Sequence, residues 1–364
     1  MTLQENFIEE IIALPKRTVK AIVDDPVKTA EAIDLIYVND NSNGILRKKK
    51  GKDFKYYFNE KEIKDIKILE RINSLVIPPA WENVWICPLA NGHLQATGLD
   101  TKKRKQYKYH PHWNSLRNHT KFFRLYEFGK ALPRIREQLN RDLTLPGLPL
   151  DKVLATIVSL MERTSIRIGN NFYEKLYGSF GLTTLKNKHV VISGNEIKFS
   201  FRGKKGIDHK ISIQNKKLSL IVKKCKDIPG KELFQYYNED GTPHNIDSGM
   251  VNDYIRKISS GDFTAKDFRT WAGSVHALIA LKDLGGFEND AEAKRKIIEA
   301  LDSVSKHLGN TRTVCKKYYV HPTLISMYEN NNLDKYMKEW KSHSEPEELL
   351  TPEEIVLLKI LKAQ

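Results

Sequence analysis

The spacing of apolar positions changes character along the chain. Up to about residue 36 it is helical, with acidic and basic residues mixed between apolar ones, as in Glu9-Glu10-Ile11-Ile12-Ala13-Leu14 before Pro15. From Ile36 the runs shorten to strand length. Residues 46–53, which carry Lys48-Lys49-Lys50 ahead of Gly51, read as a charged turn, and residues 54–58 as the strand after it. Ile63, Ile66, Leu69 and Ile72 recur at helical spacing and predict a helix within 63–77 that Pro78-Pro79 stops. Residues 84–87 and 93–97 flank Asn91-Gly92 and predict an antiparallel strand pair. The polar segment 114–120 reads as a linker.

Beyond about residue 119 the 3.6-residue period returns, predicting amphipathic helices over 121–141 and 151–163. In the second, Val153, Leu154, Ile157, Val158 and Met161 share one face, with Asp151 as N-cap. A β insert interrupts the helices. Residues 189–193 and 196–201 form a hairpin around Gly194-Asn195, supported by the alternation Ile197, Phe199, Phe201. The turn Arg202-Gly203-Lys204-Lys205-Gly206 leads into a return strand over 209–213. Further helices are predicted over 215–225, 248–260, 271–284 and 290–308, and near the end of the chain. In 290–308, Ile297, Leu301, Val304 and Leu308 line one face, and Gly309 suits the position just past a helix end. The pattern predicts an α+β fold with two domains. The first, 1–117, is small and β-rich with a helical lead-in over 1–34. The second, 118–364, is larger and mainly α-helical, with a small β insert near 188–213.

Composition adds a partner. The 364 residues carry 60 Lys and Arg against 45 Asp and Glu, a formal charge of +15, which suits a polyanion such as nucleic acid. Within 102–109, Lys103, Arg104, Lys105, Gln106, Tyr107 and Tyr109 combine cations with rings that share one strand face. That mixture fits phosphate neutralisation with aromatic contact to sugar or base; the alternative is a solvated basic strand whose tyrosines face the core. Cys87, Cys225 and Cys315 are far apart with no Cys-x-x-Cys pair, which argues against a disulfide framework and fits a reducing cytoplasm. No basic leader with an apolar run opens the sequence and no stretch approaches a membrane span, so no signal peptide and no membrane partner are expected.

Several chemistries lack their motifs. There is no Gly-rich phosphate loop and no dinucleotide fingerprint, so no nucleotide cofactor is expected. Asn39 to Gly44 imitates a calcium loop, but its twelfth position is Lys50. His110 and His112 have no acidic or cysteine partner nearby, and no paired-carboxylate cluster suggests a two-metal nuclease. No metal and no cofactor are expected.

What remains is Leu308-Gly309-Asn310-Thr311 followed by a short basic turn and then Tyr318-Tyr319-Val320-His321-Pro322. A free tyrosine hydroxyl has a pKa of about 10, so as a nucleophile it needs fixed cations that favour the phenolate. Candidate cations precede it: Arg167 after a helix, Lys204 in the hairpin turn, and Arg269 in Lys266-Asp267-Phe268-Arg269-Thr270. Together with Pro78-Pro79-Ala80-Trp81, Gly92-His93-Leu94-Gln95-Ala96-Thr97-Gly98, Arg167-Ile168-Gly169-Asn170, Gly181-Leu182-Thr183-Thr184-Leu185-Lys186 and Phe201-Arg202-Gly203-Lys204, these segments resemble the type IB DNA topoisomerases. The resemblance is to the short branch of poxviruses and bacteria, from about Leu35 to Asn332.

The resemblance implies a catalytic domain of the tyrosine recombinase/topoisomerase IB type and a catalytic set of Arg167, Lys204, Arg269, Asn310 and Tyr319. It implies relaxation of supercoiled double-stranded DNA through a 3′-phosphotyrosyl intermediate on Tyr319, without ATP or obligatory metal, by a monomeric cytoplasmic, nucleoid-associated protein. Many members have His where this chain has Asn310, and Asn donates a hydrogen bond but shuttles no proton. The tyrosine site-specific recombinases share the Arg-Lys-Arg-Tyr chemistry. They usually have His-x-x-Arg where this chain has Lys266-x-x-Arg269, and a helical N-terminal domain where residues 36–110 read β-rich.

Overall fold

The computed structural model describes residues 25–363, except Lys52, Lys102, Arg104, Lys121, Phe123, Glu239 and 341–348. The helical lead-in read over 1–34 lies outside the described residues as far as residue 24. The chain divides into two compact units, Met1–Phe123 and Arg124–Gln364.

The first unit holds α1 (Pro26–Glu31), β1 (Ile45–Lys50), β2 (Asp53–Phe58), β3 (Lys61–Glu62), α2 (Ile66–Ser74), β4 (Glu82–Ile86), β5 (Leu94–Leu99), β6 (Lys105–Tyr109) and α3 (Pro111–Thr120). The six strands form one antiparallel sheet in the order β3-β2-β1-β4-β5-β6. Alternation sorts its side chains. Ile45, Val84, Ile86 and Ala96 pack with Ile72 of α2 on one face, and Trp85, Cys87 and Leu94 form a cluster of their own. Asp65 starts α2 by accepting from the Lys67 and Ile68 amides at 2.8 and 3.2 Å.

Two expectations fail in this unit. The lysine run is a strand, not a turn: residues 45–50 pair with both β2 and β4, and the chain reverses at Gly51, where φ is +64°. Arg47 caps the Pro78-Pro79 corner, donating to the carbonyls of Pro78 at 3.0 Å and Trp81 at 2.7 Å. Residues 114–120 are not a linker but most of α3, whose Trp113 and Leu116 are buried against Ala30, Ile33 and Leu35.

The second unit contains α4 (Leu125–Asp142), α5 (Leu150–Thr164), α6 (Asn171–Tyr177), β7 (Val190–Ser193), β8 (Glu196–Arg202), β9 (Asp208–Gln214), α7 (Lys216–Lys226), β10 (Gln235–Tyr237) and β11 (Pro243–Asn245). It continues with α8 (Ser248–Ser259), α9 (Ala265–Leu284), α10 (Asp290–Leu308), α11 (Arg312–Tyr318), α12 (Pro322–Glu329), α13 (Asp334–Trp340) and α14 (Pro352–Lys362). Helix α5 is the hub, buried from Lys152 through Met161. Its N-cap is Pro149, with Asp151 inside the first turn rather than at the cap. The insert β7-β8-β9 is antiparallel, and Ile197, Phe199 and Phe201 point inward as the alternation required. The basic turn expected before the tyrosines is helix α11, capped by Thr311; Cys315 is its one buried residue.

Candidate active site

Four of the five sequence-derived catalytic candidates meet at the end of α10. Ser165, just past α5, takes a left-handed conformation (φ 54°) and turns the chain toward Arg167. Gly309 ends α10 in the same way, at φ 59°. The Arg167 guanidinium donates to the Gly309 carbonyl at 3.2 Å and to the Asn310 side-chain oxygen. Arg269, in the second turn of α9, is 5 % exposed. It donates to the carbonyls of Ser165 and, at 2.9 Å, of Leu308, while its Nε is buried with no hydrogen-bond partner.

Tyr319 is pinned beneath these groups. Its amide donates to the Cys315 carbonyl at 2.9 Å, and its carbonyl accepts from Ser274 Oγ at 3.2 Å. Gly273, one helical turn after Arg269, lets that backbone approach: a Cβ there would stand 2.6 Å from the Tyr319 carbonyl oxygen. The Arg269 guanidinium lies over the Tyr319 ring, 5.2 Å from its centroid, whereas the neighbouring Tyr318 ring is faced by Lys317 at 5.7 Å.

The cluster is set apart by two guanidinium cations close enough to repel each other, since Arg47 and Arg71 also donate only to carbonyl and amide oxygens. Arg136 and Arg312 each hold a carboxylate, at 2.7 and 2.6 Å. Arg167 and Arg269 donate hydrogen bonds only to carbonyl and amide oxygens among the described residues. Burial and the adjacent Arg269 cation push Arg167 down to about 10. Two like charges held together without an acid form a site for an anion, and forked guanidinium donors match phosphate oxygens. Burial drives the Cys315 thiol up to about 11, so it stays protonated beside the same arginines.

Lys204 opens the tight turn between β8 and β9, followed by Lys205 at φ 62°. It lines a cavity of about 650 Å³ with Arg167, Gly169, Asn170, Phe180 and Asn252. Cradling residues that the sequence reading missed are Ser165, His209, Gly273 and Ser274. No local pattern distinguishes them, because each acts through a contact distant in sequence.

The DNA-binding candidates lie in the first unit. Arg104 is outside the described residues. Tyr107 and Tyr109 share a face and stack at 6.1 Å with an interplanar angle of 10°, Tyr107 half-exposed and Tyr109 packed partly into the core. The other three already hold acids. Lys103 pairs with Glu82, Lys105 with Asp40 at 2.6 Å, and Gln106 donates to Asp100 at 3.0 Å. Asp40 also accepts from Thr97 Oγ1 at 2.9 Å, and although burial opposes it, Lys105 and Thr97 hold its carboxyl below the usual range.

Comparison with known proteins shows the family. Residues 103–345 match the family described as eukaryotic DNA topoisomerase I, catalytic core, and residues 53–100 match the bacterial DNA topoisomerase IB N-terminal domain. The chain belongs to the type IB DNA topoisomerases. The DNA topoisomerase 1B of Acanthamoeba polyphaga mimivirus is 34% identical over 296 residues, covering 79% of this chain and 88% of the viral one. The DNA topoisomerase 1B of vaccinia virus (strain Copenhagen) is 24% identical over 275 residues, covering 74% and 82%. The short poxvirus-like branch is therefore the right one, and the two-part α+β architecture is that of the family. Among the described residues no helix is long and apolar enough to cross a membrane, and no group of three or more His, Cys, Asp or Glu could hold a metal. Helix α14 lies beyond the matched residues.

Proposed function

We propose that this enzyme relaxes supercoiled duplex DNA by transesterification at Tyr319. The Tyr319 oxygen attacks a backbone phosphorus and loses its proton to solvent. The bond from phosphorus to the 5′-oxygen breaks, a 3′-phosphotyrosyl ester forms, and the departing oxygen takes a proton from the Lys204 ammonium. The free strand end swivels, and the same steps in reverse reseal it and return the proton to Lys204. The ester conserves the bond energy, so the cycle needs no ATP, and the two arginines take the place of a metal on the phosphate oxygens. Arg167 and Arg269 hold the non-bridging oxygens, where removing one donor from comparable sites costs about 3–4 kcal/mol. Asn310 turns its amide N–H to the same oxygens and moves no proton.

The observation that carries this reading is the pair Arg269, buried, and Arg167, half-buried, which hold no carboxylate among the described residues and lie beside Tyr319. A phosphate between them would replace their mutual repulsion with two attractions. The ring pair Tyr107–Tyr109, with Lys103 and Arg104 beside it in sequence, holds the duplex while Asp40 keeps Lys105 back, and the protein works as a monomer on the nucleoid in the cytoplasm. Relaxation of a plasmid that carries no recombination site, in EDTA and without ATP, tests the reading. Both signs of supercoil should relax. A strict need for ATP, for magnesium or for a specific recombination sequence would overturn it.

A further inference from the structure

His209 plays no part in the chemistry above, yet it sits between two of the turns that supply it. It lies on β9, paired with Phe201 of β8, and its ring stacks on the Phe201 ring at 5.1 Å and 17°. A Cβ on Gly203 would stand 2.6 Å from the Cδ2 and Nε2 atoms of that ring. A Cβ on Gly309 would stand 2.5 Å from its Cε1. The imidazole is therefore wedged between two glycine backbones. Gly203 immediately precedes Lys204. Gly309 immediately precedes Asn310 and gives its carbonyl to Arg167.

The two glycines have different reasons to be glycine. Gly309 needs its φ of 59°, which β-carbon-bearing residues seldom adopt. Gly203 has φ −95°, open to any residue, so the ring pressed against it is what excludes a side chain. The ring is half-buried, and burial together with the charges of Arg167 and Arg269 keeps its pKa below the ordinary value, so it remains a neutral, packed body. Its ring meets both turns.

We propose that His209 is a positioning residue whose ring sets the spacing between the Lys204 turn and the turn that holds Arg167 and Asn310. In that role it fixes the proton donor relative to the phosphate. Shape rather than nitrogen chemistry carries the effect. The inference rests on Lys204 as the acid, and the test separates the two claims.

The measurement is single-turnover cleavage of two duplexes, one with oxygen and one with sulfur at the bridging 5′ position. A thiolate leaves without a proton, so sulfur bypasses the acid. Lys204→Ala should be slow on oxygen and recover on sulfur; if it does not recover, the acid assignment fails and the inference falls with it. With that recovery in hand, His209→Ala should be about 10- to 100-fold slower on oxygen, the scale of a small misplacement of a catalytic group, and should recover most of the rate on sulfur. His209→Phe, which keeps the ring, should restore most of the oxygen rate. Gly203→Ala leaves the histidine in place but displaces its ring, and should show the same oxygen-specific loss even if His209→Ala fails to fold. A wild-type rate for His209→Ala on oxygen, an equal loss on both substrates, or a His209→Phe as slow as His209→Ala would each overturn the proposal.

Discussion

Replacing Glu354 with glutamine removes the charge that fastens α14 to the helix carrying Arg269. Glu354 is 5 % exposed. It accepts both terminal nitrogens of Arg136 at 2.7 Å, the Trp271 indole N–H at 2.9 Å and the Thr351 amide at 2.9 Å. Trp271 follows Arg269 by two positions on α9, and Leu358 and Trp271 both press on Gly129 of α4. A glutamine keeps the shape but must turn an N–H toward one of these donors. Breaking a buried pair from one side costs about 3–5 kcal/mol. Arg136 retains Glu162 at 2.8 Å, so the lower end applies, about 3 kcal/mol. For a unit of this size that is a fall in Tm of about 6–12 °C.

Acidity supplies the control on that figure. Burial pushes the Glu354 carboxyl up, but Arg136 more than offsets it, and the group sits below its ordinary value. A folded-state pKa below the unfolded one gives stability that is complete above the unfolded pKa of about 4.3 and is lost as pH falls through the folded value. The Tm gap between the wild type and Glu354→Gln, read by calorimetry, should therefore be constant from neutral pH to about pH 5 and shrink in stronger acid. An unchanged Tm at pH 7, or a gap that widens in acid, would refute the role given to this carboxylate.

Two further outcomes are expected. Asp40→Asn frees Lys105 for phosphate, so the salt dependence of DNA binding should steepen by about 0.9 in log–log slope, about 3.5-fold in affinity between roughly 50 and 200 mM salt; fluorescence anisotropy reads it, and Asp40→Asn with Lys105→Ala should return the original slope. Gly273→Ala pushes the Tyr319 backbone away from α9 and should slow cleavage by about 100-fold, with DNA affinity retained; a near-normal single-turnover rate would show that the close approach is dispensable.

The legible parts of the fold are those whose own residues carry the signal. Ile197, Phe199 and Phe201 alternate because β8 buries one face against the helices, and Ile297, Leu301, Val304 and Leu308 recur because α10 does the same at helical period. Strand β1 reads as a turn because Lys48, Lys49 and Lys50 put charge on both of its faces; its pairing is supplied by β2 and β4. Helix α11 buries only Cys315, too little for periodicity to register. At the site, Arg167, Lys204, Arg269, Asn310 and Tyr319 each read alone as solvated or core-capping residues, and only the order and spacing of the segments that carry them point to phosphoryl transfer. The residues that aim them did not stand out. Asp40 beside Lys105, and His209 between Gly203 and Gly309, are contacts made only once the chain has folded.

The central claim is that Tyr319 and not Tyr318 joins the DNA. A duplex whose cut end diffuses away traps the covalent complex, and mass spectrometry of its peptides locates the adduct. The wild type should carry a 3′-phosphoryl nucleotide on Tyr319, Tyr318→Phe should form the same adduct, and Tyr319→Phe should bind DNA and form none. An adduct on Tyr318, or one that persists in Tyr319→Phe, would contradict the account.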